Sequence, residues 1–455
     1  MKLLLKGFEH ILTFDDDERE LRGADILVDG RQIVGVGEDL TDPGVDRVID
    51  GTGLVALPGL INAHQHLYQA SLRALPELER APMGPWLAGI GATCLRWWRE
   101  GTYTPEMVGV VSRAILLESV LGGTTTVADQ YYFYPGGEVA PYLEETIEAA
   151  KEIGVRLHAG RGSITLGRTD GGTADDVLVE TVDGVLAHCQ ELIQNSHDPE
   201  RMAMVRVALA PCGLHVDRPE LFDETAALAA EHPGVRLHTH LYEKVDAQVC
   251  SDRYGMTPWR MLELHGWAGD RTWLAHVNDP PQEEIAEFAA AGTGVAHLIA
   301  PDLRLGWGLA PLRDFLDRGV RVGFGTTGSA SNDGANMLGD LRLAALAHRP
   351  ASEDPDRWPS ARELLRMATR GSAACIGRDD LGALASGYAA DIACWDVSTV
   401  DRIGVHDPAA GLLLTGLSDA ASLVLVNGDV LVEDGAPTRA DPAVVARAAR
   451  RVIPA

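Results

Sequence analysis

The chain has 455 residues, 46% of them hydrophobic, which is enough for one large domain with a smaller one beside it. Its formal net charge of −27 argues against nucleic-acid partners and anionic substrates, and no apolar run approaches the roughly 20 residues of a membrane helix. The apolar run at the N-terminus is too short for a secretory signal, so we expect a cytoplasmic protein without a membrane partner.

Both ends of the chain predict short β-strands. Near the N-terminus, ADILVDGRQIVGVGED alternates apolar and polar side chains around Asp29-Gly30, a dipeptide typical of a hairpin turn. Near the C-terminus, SLVLVNGDVLVEDG has the same pattern around Asn427-Gly428. We therefore predict a small β-sandwich domain formed by both termini, residues 1–57 and 381–455.

The middle of the chain, residues 58–380, alternates short apolar runs with amphipathic helices. One helix is predicted from Thr104 as N-cap and Pro105 at the first turn to Gly122 as the stop. The apolar runs lie at residues 54–61, 124–129, 155–160, 204–210, 235–240, 271–276, 294–299 and 320–326. Eight such repeats predict an α/β fold, a (β/α)8 TIM barrel, whose functional residues lie at the carboxyl ends of the strands.

Histidines stand at several of these strand ends. His64 and His66 follow the first run, His238 and His240 end the fifth, and His276 ends the sixth. Side chains two residues apart on a strand point to the same side, so each His-x-His pair directs two imidazoles to one point. A third imidazole from across the barrel would nearly complete a tetrahedral zinc site. Spacing alone does not choose between His238 and His240.

Other polar residues admit two interpretations. Glu243, three residues after His240, could exchange protons with a metal-activated water, or it could be a solvated loop acid. A single buried histidine is usually a packed core residue, and His158, His188 and His297 fit that description.

The positions of the lysines and cysteines argue against two kinds of metal site, a two-metal site bridged by a lysine and a zinc knuckle. None of the four lysines lies in the fourth predicted strand, so a two-metal site bridged by a carbamylated lysine has no candidate there, and one metal per chain is the simpler hypothesis. The cysteines lack zinc-knuckle spacing and are expected to be reduced core thiols. They are Cys94, Cys189, Cys212, Cys250, Cys375 and Cys394.

Longer motifs carry a family resemblance. The segments LPGLINAHQH, HTHLYE, LAH and GFGTTGSASN resemble the amidohydrolase superfamily, in the branch that acts on aminated N-heterocycles. That branch includes cytosine, guanine and 8-oxoguanine deaminases and the s-triazine hydrolases, and the triazine hydrolases that remove chloro and methylthio groups are the most similar group. The resemblance extends through residues 124–130, 254–260 and 300–311 and covers nearly the whole chain.

The resemblance implies roles for the strand-end residues. His64, His66 and His240 resemble the zinc ligands, and Glu243 resembles the general acid/base. His276 resembles the histidine that contacts the metal or its water. One Zn²⁺ per chain is implied, with Fe²⁺ as the alternative, since histidine-rich sites accept both.

The eighth strand departs from the family pattern. Thr327 stands in GTTG where the family normally has an aspartate that ligates zinc and takes a proton. A neutral hydroxyl is a weak ligand and no base, so the site is one charge more positive and proton transfer falls to Glu243. The s-triazine hydrolases resemble this chain in having threonine there. The alternative is that Thr327 marks a damaged site.

The implied function is hydrolytic displacement on a heterocycle. We expect activated water to displace chloride, a methylthio group or an amine from an s-triazine or related ring. The substrate-binding candidates are Gln69, Trp86, Gln130, Arg304 and Trp307, each with loop packing as the alternative. The alternative functions are an aminopurine or aminopyrimidine deaminase and a catalytically silent scaffold barrel. A homodimer is expected because symmetric dimers are the commonest oligomers.

Overall fold

The structure, a computed structural model, describes residues 1–137, 139–416 and 419–454. In chain order the strands are β1 Lys2–Phe8, β2 His10–Leu12, β3 Glu20–Leu21, β4 Ala24–Asp29, β5 Gln32–Gly37, β6 Arg47–Asp50, β7 Leu54–Pro58, β8 Leu60–Gln65, β9 Thr124–Tyr131, β10 Arg156–Arg161, β11 Val205–Leu209, β12 Arg236–Leu241, β13 Thr272–His276, β14 Gly294–His297, β15 Arg321–Phe324, β16 Ile392–Asp396, β17 Leu423–Val426, β18 Asp429–Glu433 and β19 Ala436–Pro437.

The α-helices surround and connect these strands. In chain order they are α1 Met83–Arg99, α2 Pro105–Leu121, α3 Tyr142–Ile153, α4 Val182–Ser196, α5 Pro219–Glu231, α6 Val245–Tyr254, α7 Pro258–Leu264, α8 Gln282–Ala291, α9 Ile299–Arg304, α10 Leu312–Asp317, α11 Met337–Ala347, α12 Ala361–Arg366, α13 Ser372–Cys375, α14 Pro408–Leu414 and α15 Pro442–Val452. No helix in the described parts of the chain is long and apolar enough to cross a membrane.

Strands β8 to β15 form one parallel sheet in which each strand lies beside the next in sequence. Helices follow the strands, as a barrel with an outer helical ring requires. The strands are buried on both faces, because one face meets the barrel interior and the other meets helices. The predicted (β/α)8 barrel is confirmed.

Local signals place the helix ends well. Helix α2 begins after Thr104, whose hydroxyl accepts a hydrogen bond from the backbone N–H of Met107 at 3.2 Å. Pro105 occupies the first turn, where its missing N–H costs no helical hydrogen bond, and Gly122 caps the carboxyl end. The predicted bounds of this helix are confirmed.

The apolar run at 54–61 is two strands rather than one, which corrects the prediction. Its first part, β7, pairs with β16 and β2 in the terminal sheet, and the first barrel strand, β8, begins only at Leu60. Gly59 lies between the two strands. A Cβ at this position would lie 2.2 Å from side-chain atoms of Thr125, so a larger residue does not fit without a shift. The run is apolar throughout because both strands are buried, so hydrophobicity alone shows no boundary.

The termini form two sheets that pack on each other. One sheet has the order β5-β4-β1-β6, and the other, β19-β18-β17-β16-β7-β2-β3, combines strands from both ends of the chain. A shared apolar core joins them and includes Leu5, Ile26, Ile392 and Leu425. The sandwich and both hairpins are confirmed, whereas the domain boundaries 1–57, 58–380 and 381–455 stay a prediction.

The first and last barrel strands are joined by side chains. The Asn62 amide donates to the Thr326 hydroxyl at 2.8 Å, and that hydroxyl donates to Gln65 Oε1 at 2.6 Å. The backbone N–H of Thr327 donates to the carbonyl of His64 at 2.9 Å. The loop after β15 is thus fixed against the strand that carries the first His-x-His pair.

A buried ion pair ties the barrel to the terminal sheet. Arg156, at the start of β10, has no exposed side chain and pairs with Asp391, just before β16, at 3.0 Å. Its guanidinium also donates to the carbonyls of Met202 and Ala203. It donates to Asn427 Oδ1 at 2.8 Å as well, so the charge is held by Asp391 together with neutral acceptors around it.

We predict that Asp391→Ala lowers the free energy of unfolding by about 3–5 kcal/mol, because it leaves the Arg156 charge buried and unpaired. Urea unfolding followed by circular dichroism measures the loss. Glu148→Ala is the matched control, since Glu148 pairs with Lys151 on the surface, where an ion pair contributes only about 0–1 kcal/mol. Equal losses in the two variants would contradict the prediction.

Candidate metal centre

Three histidines converge at the carboxyl end of the barrel. His64 lies in β8, His66 follows that strand, and His240 lies in β12. One nitrogen of each ring lies within 4.8 Å of one nitrogen of the other two, and all three residues are buried. The predicted convergence of His-x-His with a histidine from across the barrel is present.

Backbone carbonyls determine the protonation of two of the rings. Nδ1 of His66 lies 2.8 Å from the carbonyl of Gln130, and Nδ1 of His240 lies 2.6 Å from the carbonyl of Cys212. A carbonyl can only accept, so both Nδ1 atoms carry the proton. The two Nε2 atoms, 3.2 Å apart, then present lone pairs to each other, which a shared cation would satisfy.

His238 has a different place from His240, although spacing could not separate them. Its Nδ1 donates to the carbonyl of Trp273 at 2.9 Å, so its Nε2 accepts from Nδ1 of His64 at 2.7 Å. This relay leaves the lone pair of His64 on Nε2, a buried atom without a partner among the described residues. His240 therefore joins the metal centre, and His238 orients His64 from behind.

The charge state of the three rings suits a metal. Burial lowers the pKa of His66 to about 4. Burial, with the neighbouring imidazoles, also holds the pKa of His64 and of His240 well below the usual range. All three are neutral at neutral pH, as metal ligation requires, so the residues fit a divalent ion.

A second group of residues continues from His240. The nearest nitrogen and carboxylate atoms of His240, Glu243 and His276 also lie within 4.8 Å of one another. Glu243 Oε1 lies 3.6 Å from Nε2 of His276, and Nδ1 of His276 lies 2.7 Å from Oδ1 of Asp302. Asp302, on α9, therefore fixes the orientation of the His276 ring.

The environment raises the pKa of both Glu243 and His276. Burial raises the pKa of Glu243 to about 8, and the facing His276 opposes that shift. Burial disfavours the charged form of His276, but the carboxylates of Asp302 and Glu243 outweigh it and raise its pKa. A buried glutamate that holds a proton near neutral pH can act as a general acid.

Strained backbone surrounds the site. Positive φ angles occur at Tyr242 (58°), His276 (71°), Val277 (56°) and Thr327 (52°), all just beyond or at strand ends. Left-handed backbone at non-glycine residues costs on the order of 1–3 kcal/mol each and concentrates at functional sites. The strained backbone at Thr327 is held by its hydrogen bond to the carbonyl of His64. Thr327 also lines the space bounded by His66, His240, Glu243 and His276, which we call the metal cavity.

The metal cavity is small and includes two of the predicted aromatic residues. Trp86 lies on α1 and donates from Nε1 to the carbonyl of Ala330 at 3.0 Å. Trp307 lies edge-on to His276, with ring centroids 4.8 Å apart. Their roles in substrate binding stay predictions.

Three other predicted substrate-binding residues lie outside the described lining of this cavity. The Gln69 amide nitrogen lies 3.3 Å from the Tyr132 hydroxyl. The Gln130 side chain donates to the carbonyls of Ala210 and Pro211, so only its backbone serves His66. Arg304 forms an ion pair with Asp333. Their substrate contacts stay predictions.

Sequence reasoning missed several residues around the centre. Asp302 follows the seventh strand, and the only available signal was that a histidine in a metal site usually donates its second N–H to a carboxylate or carbonyl. Tyr132 packs edge-on against His66, with centroids 5.1 Å apart, and lines the cavity together with Cys212 and His215. Neither motif nor spacing indicated these three.

The histidines expected to be structural lie apart from the metal centre. His188 Nε2 lies 3.0 Å from Glu144, and the guanidinium of Arg161 donates to its Nδ1. His297 lies 3.1 Å from His348 between their Nε2 atoms, and His158 is fully buried in β10. The described cysteines are all buried and free, as expected.

Comparison with known proteins points in one direction. The model of the amidohydrolase family matches residues 55–431. Hydroxydechloroatrazine ethylaminohydrolase of Pseudomonas sp. (strain ADP) is 38% identical, over 99% of this chain and 95% of that protein. The 8-oxoguanine deaminase of Pseudomonas aeruginosa is 37% identical, over 96% of each chain.

A solved structure is more similar still. The crystal structure of atrazine chlorohydrolase TrzN from Arthrobacter aurescens TC1, complexed with zinc, is 60% identical in sequence, with a TM-score of 0.98. The match covers 99% of this chain and 100% of that one. Zinc in so similar a structure agrees with the donor set described above.

We predict that His238→Phe weakens zinc binding about 10- to 100-fold, because His64 loses the acceptor that holds its Nδ1 proton. Zinc affinity is measured by competition with a chromogenic chelator. His158→Phe makes the same change in another buried barrel histidine, and we expect it to leave zinc affinity unchanged. Wild-type zinc affinity in His238→Phe would contradict the assigned relay.

Proposed function

The chain belongs to the amidohydrolase family and is a metal-dependent hydrolase, and from this premise we propose that it displaces chloride or a methylthio group from an s-triazine or closely related N-heterocycle. One observation carries the choice of leaving group. Among the described residues that line the metal cavity, Glu243 is the one carboxylate. A single acid can serve one proton transfer at a time, which suits leaving groups that depart without protonation.

The reaction divides between the metal and the chain. His64, His66 and His240 would hold the zinc ion, which would supply Lewis-acid chemistry that makes water a nucleophile at neutral pH, with the water's proton lost to solvent. Glu243 gives its proton to the ring nitrogen beside the attacked carbon, so negative charge does not build up on the ring. The bond to the leaving group then breaks as chloride or methanethiolate departs, and Glu243 regains a proton from solvent. His276, oriented by Asp302, faces Glu243 and keeps the carboxyl directed into the cavity.

Thr327 affects the choice of leaving group because it has no carboxylate. Its hydroxyl is neutral and its backbone is held against His64, so it can steady the nucleophile by a hydrogen bond but cannot remove a proton. An amine leaving group needs protonation, and Glu243 would then have to act twice in one turnover. The same site therefore favours chloride and methanethiolate over ammonia.

The direct test uses zinc-loaded protein and one triazine ring in chloro, methylthio and amino forms. We expect the hydroxylated product, followed by mass spectrometry, from the chloro and methylthio forms and little from the amino form. Turnover of the amino form alone would overturn the proposal and favour the deaminase alternative, which the 37% identity to an 8-oxoguanine deaminase supports.

We predict that Glu243→Gln lowers kcat about 10²- to 10⁴-fold, because the amide cannot donate the proton that the ring nitrogen takes. Zinc content, measured by elemental analysis, should remain that of wild type, since the three histidines are intact. Glu283→Gln on the exposed face of α8 is the control and should retain wild-type kcat. A fully active Glu243→Gln enzyme would refute the assigned role.

We predict that Thr327→Asp raises the ratio of amino to chloro turnover about tenfold or more, because a second carboxylate can protonate the departing amine. The ratio of kcat/KM values for the two substrates is the measurement. Thr326→Ser, one residue earlier, retains a hydroxyl and serves as the control. An unchanged ratio of amino to chloro turnover in Thr327→Asp would contradict the proposal that Thr327 disfavours amine leaving groups.

Two further properties remain predictions. We propose a homodimer, because symmetric dimers are the commonest oligomers, and a cytoplasmic location, with which the free, buried cysteines agree. Light scattering of the purified chain tests the first. A mass of one chain would contradict it.

A further inference from the structure

Glu243 lies in a turn of unfavourable backbone between the end of β12 and the start of α6. The residues on either side of it, Tyr242 and Lys244, have φ angles of 58° and 68°. Such backbone is uncommon for residues other than glycine, so it persists only where surrounding contacts hold it. The direction of the Glu243 side chain follows from this turn, because a rotation of the neighbouring peptides would swing the carboxyl away from the metal cavity.

Asp246, in the first turn of α6, supplies such contacts. The backbone N–H of Tyr242 donates to Oδ2 of Asp246 at 2.7 Å, and the backbone N–H of Glu243 donates to Oδ1 at 2.8 Å. One fully buried carboxylate thus accepts from two successive N–H groups, one on each oxygen. Hydrogen bonds to an ionised acceptor are stronger than neutral ones, and together these two fix the peptide between Tyr242 and Glu243 in one orientation.

The charge of Asp246 suits this role. Burial raises the pKa of Asp246 to about 6, and hydrogen bonds from backbone N–H groups oppose that shift. The carboxylate is therefore mainly ionised at neutral pH, with both oxygens available as acceptors. Its place near the N-terminus of α6 also favours the negative charge.

The residue before Glu243 has a separate anchor. The hydroxyl of Tyr242 donates to the carboxylate of Glu284, which also accepts from the hydroxyl of Thr257 at 2.6 Å. This contact joins the Tyr242 ring to helices α7 and α8 and does not reach the backbone of Glu243. We therefore expect the loss of the Asp246 carboxylate to loosen Glu243 while Tyr242 stays in place.

We propose that Asp246 is a positioning residue for the proton transfer by Glu243. Asp246 is not among the described residues that line the metal cavity, so it acts through the backbone of Glu243 rather than on the substrate. The inference rests on the general-acid role of Glu243 in the proposed function. It does not depend on which leaving group departs from the ring.

Asp246→Asn tests the proposal with almost no change in shape, because the amide accepts from one N–H and presents its own N–H to the other. We expect kcat to fall about 10- to 100-fold and KM to stay within about twofold, since a misdirected acid weakens the transition state rather than substrate binding. Zinc content, measured by elemental analysis, should equal that of wild type. Asp252→Asn, on the exposed face of the same helix, is the matched control and should keep wild-type kcat.

A second background separates positioning from general damage to the fold. In Glu243→Gln the proton donor is already absent, so a residue that acts only through Glu243 has nothing further to contribute. We expect the kcat of Glu243→Gln/Asp246→Asn to equal that of Glu243→Gln within about twofold. If Asp246→Asn does not fold, Asp246→Ser, which keeps one acceptor in a smaller side chain, goes through the same two backgrounds.

The comparison uses whichever triazine ring the wild type hydrolyses, chloro, methylthio or amino. Turnover of the amino form alone would refute the proposed leaving group, yet the two backgrounds would still test Asp246, because Glu243 is the proton donor in either reaction. Wild-type kcat in Asp246→Asn, or a loss by the same factor in both backgrounds, overturns the inference.

Discussion

The site depends on buried imidazole lone pairs that find no hydrogen-bond donor among the described residues and that a cation would satisfy. His66 and His240 each use their one proton on a backbone carbonyl, and His64 uses its proton on His238. Their remaining nitrogens converge within 4.8 Å. Burial keeps these rings uncharged, so neither added protons nor bulk water relieves the convergence at neutral pH. The barrel, its closure and its strained strand ends serve this arrangement.

The contacts that close the barrel also position the metal centre. The first and last strands meet through Asn62, Gln65 and Thr326 rather than through a backbone ladder, and the next residue, Thr327, is bonded to His64. A residue at the eighth strand thus sets both the position of the first histidine and the charge of the cavity. We expect substitution of this threonine to change the chemistry more than the fold, because its side chain lines the cavity while its backbone N–H holds the bond to His64.

Much of this could be read from the sequence because the relevant patterns are local. Strand runs, hairpin dipeptides and the cap at Thr104 depend on neighbouring residues, and the family motifs contain the three histidines that converge in the structure. The division of the run at 54–61 could not be read, since two buried strands share one hydrophobic pattern. The separate places of His238 and His240 also required the fold, because carbonyls of other strands decide which ring faces the metal.

If three neutral histidines hold one metal ion, X-ray absorption and elemental analysis of the zinc-loaded full chain should show it. We expect one zinc per chain, with nearest neighbours that are mainly nitrogen at about 2.0–2.1 Å. Two metal ions per chain would contradict a single three-histidine site. A sulfur neighbour at about 2.3 Å would also contradict it, because sulfur would mean that Cys212 rather than a histidine ligates the metal.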